Sequence, residues 1–368
     1  MNSNVYFMDM RSKGGSGLLT KLERLMDRAG FADLVEKNDL TAVKLHFGER
    51  GNLAYIRPQY IRRIVDKLKD FGAKPFLTDA NTLYAGSRSN AVDHLETAVE
   101  NGFDYAVAGA PLVIADGLNG KDYISVPVNL KHFSEVKIGS AAVHADAIIA
   151  ITHFKGHEAT GFGGVIKNLG MGLGSRAGKQ MQHSDILPNV NQEKCTGCTR
   201  CTKWCPASAI EMENNKAVIS HEKCIGCGEC TVTCNFRAIG INWKTTADII
   251  QEKMIEYTAG VLKGKEGKAG FITFITQVSP DCDCCSWNDQ PIVGDIGILA
   301  AKDPIAIDQA AVDLINQAKG IYGSRLGDEV DSRDKFRVIH PGVDWSVQLS
   351  YGQEIGLGTR EYNLIKVE

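Results

Sequence analysis

The amino-acid sequence predicts an α/β protein with a layered, largely parallel sheet, interrupted by a small α+β insertion. Strand-like and helix-like segments alternate before residue 188, they alternate again after residue 243, and eight of the eleven cysteines lie between. The stretch Met1 to Met10 is strand-like, and Thr41–Phe47 reads as the first strong strand. A helix follows over Pro58–Phe71, then a strand over Lys74–Asp79. Arg88–Asn101 is a second helix, with Ala91, Leu95, Ala98 and Val99 on one face, and Ala147–Phe154 is a buried strand. Beyond the cysteine-rich stretch, Ile250, Met254, Tyr257 and Val261 recur at helical spacing, which predicts an amphipathic helix over Thr246–Leu262 ending near Gly264. Strands are expected at Gly270–Thr276 and Ile296–Ala301. A last helix is expected over Pro304–Lys319, with proline in its first turn and Gly320 after its end. Residues 1–187 and 244–368 therefore form one discontinuous α/β domain, and 188–243 form the insertion.

The chain has 368 residues, 43% of them hydrophobic, enough for a sizeable buried core. A formal net charge of −3 gives no basic field for nucleic acid. The N-terminal residues carry no charged region followed by an apolar run, so no signal peptide is expected. No segment approaches the roughly twenty apolar residues of a membrane helix. The most apolar stretch, Ala145 to Ile151, contains Asp146. A soluble cytoplasmic protein without membrane or nucleic-acid partners is the expectation, and thiolate ligands point to a reducing, low-oxygen compartment.

The insertion repeats itself. Cys195, Cys198, Cys201 and Cys205 are followed at the same spacing by Cys224, Cys227, Cys230 and Cys234, both runs reading C-x2-C-x2-C-x3-C. The flanks match too: Glu193-Lys194 and Glu222-Lys223 precede the runs, and Ala209-Ile210 and Ala238-Ile239 follow them. This is the spacing of two-cluster bacterial ferredoxins, in which the fourth cysteine of each run ligates the other run's cluster. Two [4Fe–4S] clusters are expected, the first on Cys195, Cys198, Cys201 and Cys234, the second on Cys224, Cys227, Cys230 and Cys205. Zinc fits poorly, because a third cysteine at so short an interval has no place in a tetrahedral knuckle. Ile210, Val218, Ile219, Ile225 and Ile239 would wrap the clusters. Asn235 stands where the first run has Pro206, which alters the local backbone and donor count.

A third cysteine group, Cys282-Asp283-Cys284-Cys285, follows a predicted strand. Three thiols within four loop residues are unusual as core filler. They are candidates for a third metal or cluster, for redox or nucleophilic thiol chemistry, or for a merely solvated loop. A bridge between the adjacent Cys284 and Cys285 would be strained.

Other polar residues gather at strand ends, where open α/β sheets bind ligands. Thr152 to Lys179 holds His153, Lys155, His157, Lys167, Arg176 and Lys179 among eight glycines. The cations would attract an anion, and the glycines would permit close backbone approach or helix–strand packing. Gln180 after the lysine, and one residue too many before it, exclude a P-loop. Lys44, His46 and Glu49 follow an earlier strand, and Asp79 with Asn81 another. These groups are expected to converge on one pocket.

Lys44-Leu45-His46, Thr78-Asp79-Ala80-Asn81-Thr82, Phe154-Lys155-Gly156-His157, Gly164-Val165-Ile166-Lys167-Asn168-Leu169-Gly170 and Asp303-Pro304-Ile305-Ala306-Ile307-Asp308 together resemble the motifs of uncharacterised iron–sulfur centre proteins, domain of unknown function 362. The resemblance covers nearly all the chain outside the insertion. It implies a cytoplasmic iron–sulfur protein and supplies no agreed reaction. His153 departs from the family pattern, which places a proline or small residue there.

The preferred expectation is a redox enzyme. Electrons from a small redox donor protein pass through the two clusters to a pocket lined by Lys44, His46, Asp79, Lys155, His157, Lys167 and the Cys282, Cys284 and Cys285 loop. There the lysines hold an anionic small molecule and His157 or Asp79 moves protons. The alternative is a non-enzymatic electron carrier or an iron–sulfur or metal assembly factor.

Overall fold

The computed structural model describes residues 2–84, 86–183, 188–205, 207–224, 229–236, 238–240 and 246–368. Eight strands form its main sheet: β1 (Ser3–Asp9), β2 (Leu40–Lys44), β3 (Lys74–Asp79), β4 (Leu112–Ile114), β5 (Ala147–His153), β6 (Ala269–Ile275), β7 (Gly297–Ala301) and β8 (Tyr362–Lys366). Their order is β8-β1-β7-β6-β5-β2-β3-β4. Seven strands run the same way, and β7 alone runs against its neighbours β1 and β6. The fold is mixed α/β with a mostly parallel sheet, as the alternation of elements predicts.

Burial follows from the period of two along each strand. On β5, Ile148 and Ala150 join one core while Ile149 and Ile151 join another, all fully buried. Each such isoleucine contributes about 1.5–3 kcal/mol relative to exposure, so β5 ties both faces to the sheet. One face is covered by α1 (Leu18–Arg28), α2 (Pro58–Asp70) and α3 (Ala91–Glu100) through Leu22, Leu25, Ile61, Ile64, Leu68 and Ala98. The other face carries α4 (Val165–Leu173), followed in sequence by α5 (Arg176–His183). Two further short helices lie in the central segment, α6 (Arg200–Trp204) and α7 (Glu229–Thr233). They precede α8 (Ala247–Leu262) and α9 (Pro304–Gln317), which also cover this second face.

Capping explains several boundaries. Asn90 accepts from the N–H groups of Val92 and Asp93, so α3 starts at Ala91 and not at Arg88. Asp303 does the same for Ile305 and Ala306 ahead of Pro304. Two expectations are revised. The glycine-rich stretch is helical in part, as α4. A Cβ on Gly170 would lie 2.2 Å from Met254 O, so this glycine serves helix contact with α8 and not ligand approach. The second revision is α8, which is buried well beyond the predicted stripe: Gln251, Lys253 and Glu256 are covered as well as Ile250, Met254, Tyr257 and Val261.

The cysteine-rich segment has its own small core. Asn189–Val190 pairs antiparallel with Ile239–Gly240, and Ile210–Glu213 pairs with Lys216–Ile219. Cys195, Cys201, Cys230, Ile210, Ala217 and Ile239 are buried together, with Cys205, Cys234 and Ile219 packed against them. Gly197, at φ +72, is where a Cβ would meet Asn215 O at 2.3 Å, so the turn between Cys195 and Cys198 requires glycine. Cys227, Ile225, Pro206 and the predicted segment end at Trp243 lie outside the described residues. Among the described residues, no helix is long and apolar enough to cross a membrane.

Candidate functional site

The sheet's strand order reverses between β2 and β5, and ligands of open α/β sheets lie outside the carboxyl ends of strands at such a point. A cavity of about 650 Å³ opens there. Lys44 at the end of β2, Asp79 at the end of β3, His46, Lys155 and His157 beyond β2 and β5, Lys167 on α4 and Cys284 after β6 all line it. Residues far apart in sequence thus converge as expected, because parallel strands present the same end to one side. Cys282 and Cys285 are not part of the lining. Cys282 is 1% exposed and lies behind Lys167, while Cys285 is partly buried and its N–H donates to Cys282 O (3.0 Å).

Charged groups in the cavity wall are mostly paired. Lys44 Nζ donates to Asn168 Oδ1 (2.7 Å) and sits 3.1 Å from Asp79 Oδ1. Burial lowers the Lys44 pKa against the pull of Asp79. Burial acts to raise the Asp79 carboxyl, but Lys44, His94, His46 and Arg88 override it and hold it well below the usual range. Lys155 Nζ lies 3.1 Å from Asp283 Oδ2 and donates to His153 O (2.9 Å). His153 Nδ1 also meets Asp283, at 2.9 Å, so His153 acts on the cysteine loop from behind and does not face the cavity. His46 is held neutral by burial and by Arg88; Gly48 N–H donates to its Nδ1 (3.0 Å), which leaves the ring proton on Nε2.

Lys179 differs from the other lining cations. Its Nζ donates to the carbonyls of Gly174 (2.5 Å) and Gly172 (3.4 Å), its only hydrogen bonds among the described residues. Burial pushes it down to about 8, against the pull of Asp116 and Asp79. Among the described residues it is the lining cation without a contacting anion.

The thiols are arranged around Lys167. Its Nζ donates to Cys282 Sγ at 3.0 Å, and Cys284 N–H donates to the same sulfur at 3.3 Å. Hydrogen bonding from the Cys284 thiol, then the Lys167 charge and His157, hold Cys282 well below the usual thiol range in spite of burial. Cys284 is pushed up by sharing its proton with Cys282. Among the described residues no three His, Cys, Asp or Glu side chains stand close enough for a single metal ion. A lysine cation against Cys282 Sγ would also compete with a metal for that sulfur.

Sequence reasoning missed Arg88, Tyr84 and His94. Arg88 is 2% exposed, donates to Tyr84 Oη (2.5 Å) and Glu49 Oε2 (3.2 Å), and reaches Asp79 at 3.5 Å. His94 is fully buried 3.8 Å from Asp79, and burial pushes it down to about 3. No spacing pattern signals such cross-loop pairings.

In the central segment, Cys195, Cys198, Cys201 and Cys234 line one small cavity. Backbone N–H groups donate to Cys195 Sγ from Ala217 (3.4 Å), to Cys205 Sγ from Ala209 (3.2 Å) and to Cys234 Sγ from Ala238 (3.3 Å). The last two are equivalent positions of the repeat. Four soft thiols around one space, with N–H donors on the sulfurs, suit a four-iron cluster, which spreads its ligands more widely than a single ion does.

An open, mostly parallel sheet under two helical layers, with a charged thiol-bearing cavity at its carboxyl end, makes this a mixed α/β protein. The chain belongs to the family described as Domain of unknown function (DUF362), whose model matches residues 41–313. Comparison with curated proteins gives no match. Among solved structures, the lactate racemase apoprotein from Thermoanaerobacterium thermosaccharolyticum is similar at 14% identity and a TM-score of 0.37, over 74% of this chain and 50% of that one. A Thermotoga maritima protein is similar at 11% identity and 0.36, over 72% and 52%. The chain spans about half the length of each.

Proposed function

We propose that the protein is an iron–sulfur redox protein: a ferredoxin-like insertion delivers electrons to a thiol-containing pocket that reduces an anionic small molecule. Cys195, Cys198, Cys201 and Cys234 would hold one [4Fe–4S] cluster, and Cys205, Cys224, Cys227 and Cys230 the other. Such clusters supply one-electron transfer when bound.

One observation carries the reading. Helix α7, which contains Cys230, packs on α5, and α5 places Lys179 in the cavity wall. Thr231 Oγ1 donates to Gln180 Oε1 of α5 (3.4 Å), and the segment holding Lys121 and Tyr123 adds Lys121 Nζ to Thr233 Oγ1 (2.8 Å) and Tyr123 Oη to Glu229 Oε1 (2.9 Å). A module seated against the pocket wall delivers electrons within one molecule, at high effective concentration. Cys198 and Phe236 are exposed on the same cavity, and a small redox protein would dock there. Within the pocket, Lys179 would bind the anion and Lys44 would orient it. His46, with its proton on Nε2, would donate to the reduced product.

Anaerobic purification with iron and sulfide analysis, followed by reduction and exposure to anionic acceptors, tests the reading. Reoxidation that requires Lys179 supports it. Protein lacking iron–sulfur signals would refute it; cluster transfer to apo-proteins without turnover would favour an assembly factor.

A further inference from the structure

Cys282 and Cys284 meet across a four-residue turn closed by the Cys285 N–H to Cys282 O bond of 3.0 Å. The residue between them is clamped: Asp283 takes His153 Nδ1 at 2.9 Å and Lys155 Nζ at 3.1 Å, and its carbonyl accepts from Glu49 N–H at 3.2 Å. Beside the clamp, the Cys282 sulfur accepts from the Cys284 N–H at 3.3 Å, which brings Cys284 against it, and Lys167 caps it at 3.0 Å. Cys284 alone of the three lines the cavity.

We propose that Cys282 and Cys284 are a redox-active thiol pair that reduces an anionic organic disulfide bound in the cavity and closes to an internal disulfide. Three features select that substrate. Lys179 offers a cation without a contacting anion among the described residues. Met171, Ile250 and Met254 give the opposite wall an apolar surface for an organic body. At about 650 Å³ the space takes a molecule far larger than an inorganic oxyanion.

The steps balance. Cys284 Sγ attacks one substrate sulfur as its proton passes to Cys282 Sγ, forming a mixed disulfide and releasing one thiolate. That thiolate takes the proton from Cys282. The Cys282 thiolate, stabilised by Lys167, then attacks Cys284 Sγ and expels the second thiolate. The products are the Cys282–Cys284 disulfide, one thiol and one thiolate. Cys285 cannot substitute for Cys282 without strain, since adjacent Cα atoms stand about 3.8 Å apart across a trans peptide, short of the roughly 4.4 Å minimum of a relaxed disulfide. The exchange needs no cluster and stands apart from the electron-delivery reading, which adds only the source of the electrons that reopen the pair.

The test uses full-length protein purified anaerobically, pre-reduced and freed of reductant. It is mixed with dithiobis(nitrobenzoate), an anionic aromatic disulfide, or with neutral dipyridyl disulfide, and the cysteines are mapped by peptide mass spectrometry. The expected result is rapid release of two thiols per chain with a Cys282–Cys284 cross-link. Cys282→Ser should stop at a mixed disulfide on Cys284, Cys284→Ser should slow the fast phase roughly tenfold or more, and Cys285→Ser should behave as the parent. Lys179→Met should lose a roughly tenfold preference for the anionic reagent, the worth of one charge contact in a partly buried site. A parent protein whose Cys282 and Cys284 remain uncross-linked would overturn the proposal whatever the variants do. A cross-link in protein without iron–sulfur signals would sustain it and sink electron delivery; signals without the cross-link would do the reverse.

Discussion

Lys167 Nζ lies 3.0 Å from the sulfur of Cys282, a cation and a thiol brought together from helix α4 and a loop 115 residues away. Because Lys167 is attached to a rigid helix and Cys282 to a clamped turn, the pair is fixed before any ligand arrives. Removing the charge as Lys167→Met should raise the Cys282 thiol by roughly one to three pH units, the range for loss of a close opposite charge. Alkylation rate against pH, read at Cys282 by mass spectrometry, checks it; an unmoved inflection refutes the pairing.

Anion binding should weaken as pH rises. Lys179 titrates at about 8, so below that pH it is charged and above it the cation is lost. Sulfate, whose own charge is constant over this range, should bind up to roughly tenfold more weakly per pH unit above 8, after a smaller loss near pH 6 where Asp116, raised to about 6 by burial, gains its charge close to Lys179. His183, pushed down to about 3 by burial, and His46 stay neutral throughout and add no step of their own. Calorimetric titration of the parent and of Lys179→Met, which should lose the step above pH 8, measures this.

Gly170→Ala should destabilise the protein by roughly 1–3 kcal/mol, the usual cost of overpacking. A Cβ there would sit 2.2 Å from Met254 O and 2.7 Å from Thr258 Oγ1, and the first of these is backbone that cannot swing aside. Urea unfolding gives the value. Gly264→Ala, with no atom within 4 Å but at φ +76, provides a comparison in which only backbone strain acts.

Cluster ligation should cross between the repeats. Anaerobically isolated protein should carry about eight iron and eight sulfide, and Cys205→Ala should disturb the cluster held by Cys224, Cys227 and Cys230. Electron paramagnetic resonance of the reduced variant distinguishes the two sites. Loss confined to the cluster of Cys195, Cys198 and Cys201 would reverse the assignment.

Much of the sheet was legible because its strands are short apolar runs with turn residues around them. Lys74–Asp79 was read to the residue, following Gly72 and the end of α2. Helix α4 was not, since Gly170 and Gly172 argue against a helix by propensity alone; Gly170 makes room for Met254 of α8 and Gly172 for the Lys44 side chain, neighbours that no local pattern records. Strand β8 escaped notice because its partner, β1, is at the other end of the chain. The cavity's chemistry divides along similar lines. Lys44, Asp79 and Lys155 announced themselves as polar residues at strand ends. Arg88 looked like the start of a helix, and its bonds to Tyr84 and Glu49 depend on loops whose meeting no local pattern records.

The pairing of Asn189–Val190 with Ile239–Gly240 zips the entry and exit of the cysteine-rich segment into a two-stranded stem. Strands in such a pair stand about 5 Å apart, so a handful of residues would bridge the cut ends, and closing so short a loop costs little chain entropy. Lengthening, exchanging or removing what lies beyond this stem is therefore expected to leave the pairing beneath it in register, which the folding of a chain shortened between residues 191 and 238 would check. A graft with a different complement of thiols at residues 191–238 would meet the same wall of α5, and the host sheet would feel no change in the spacing of its ends.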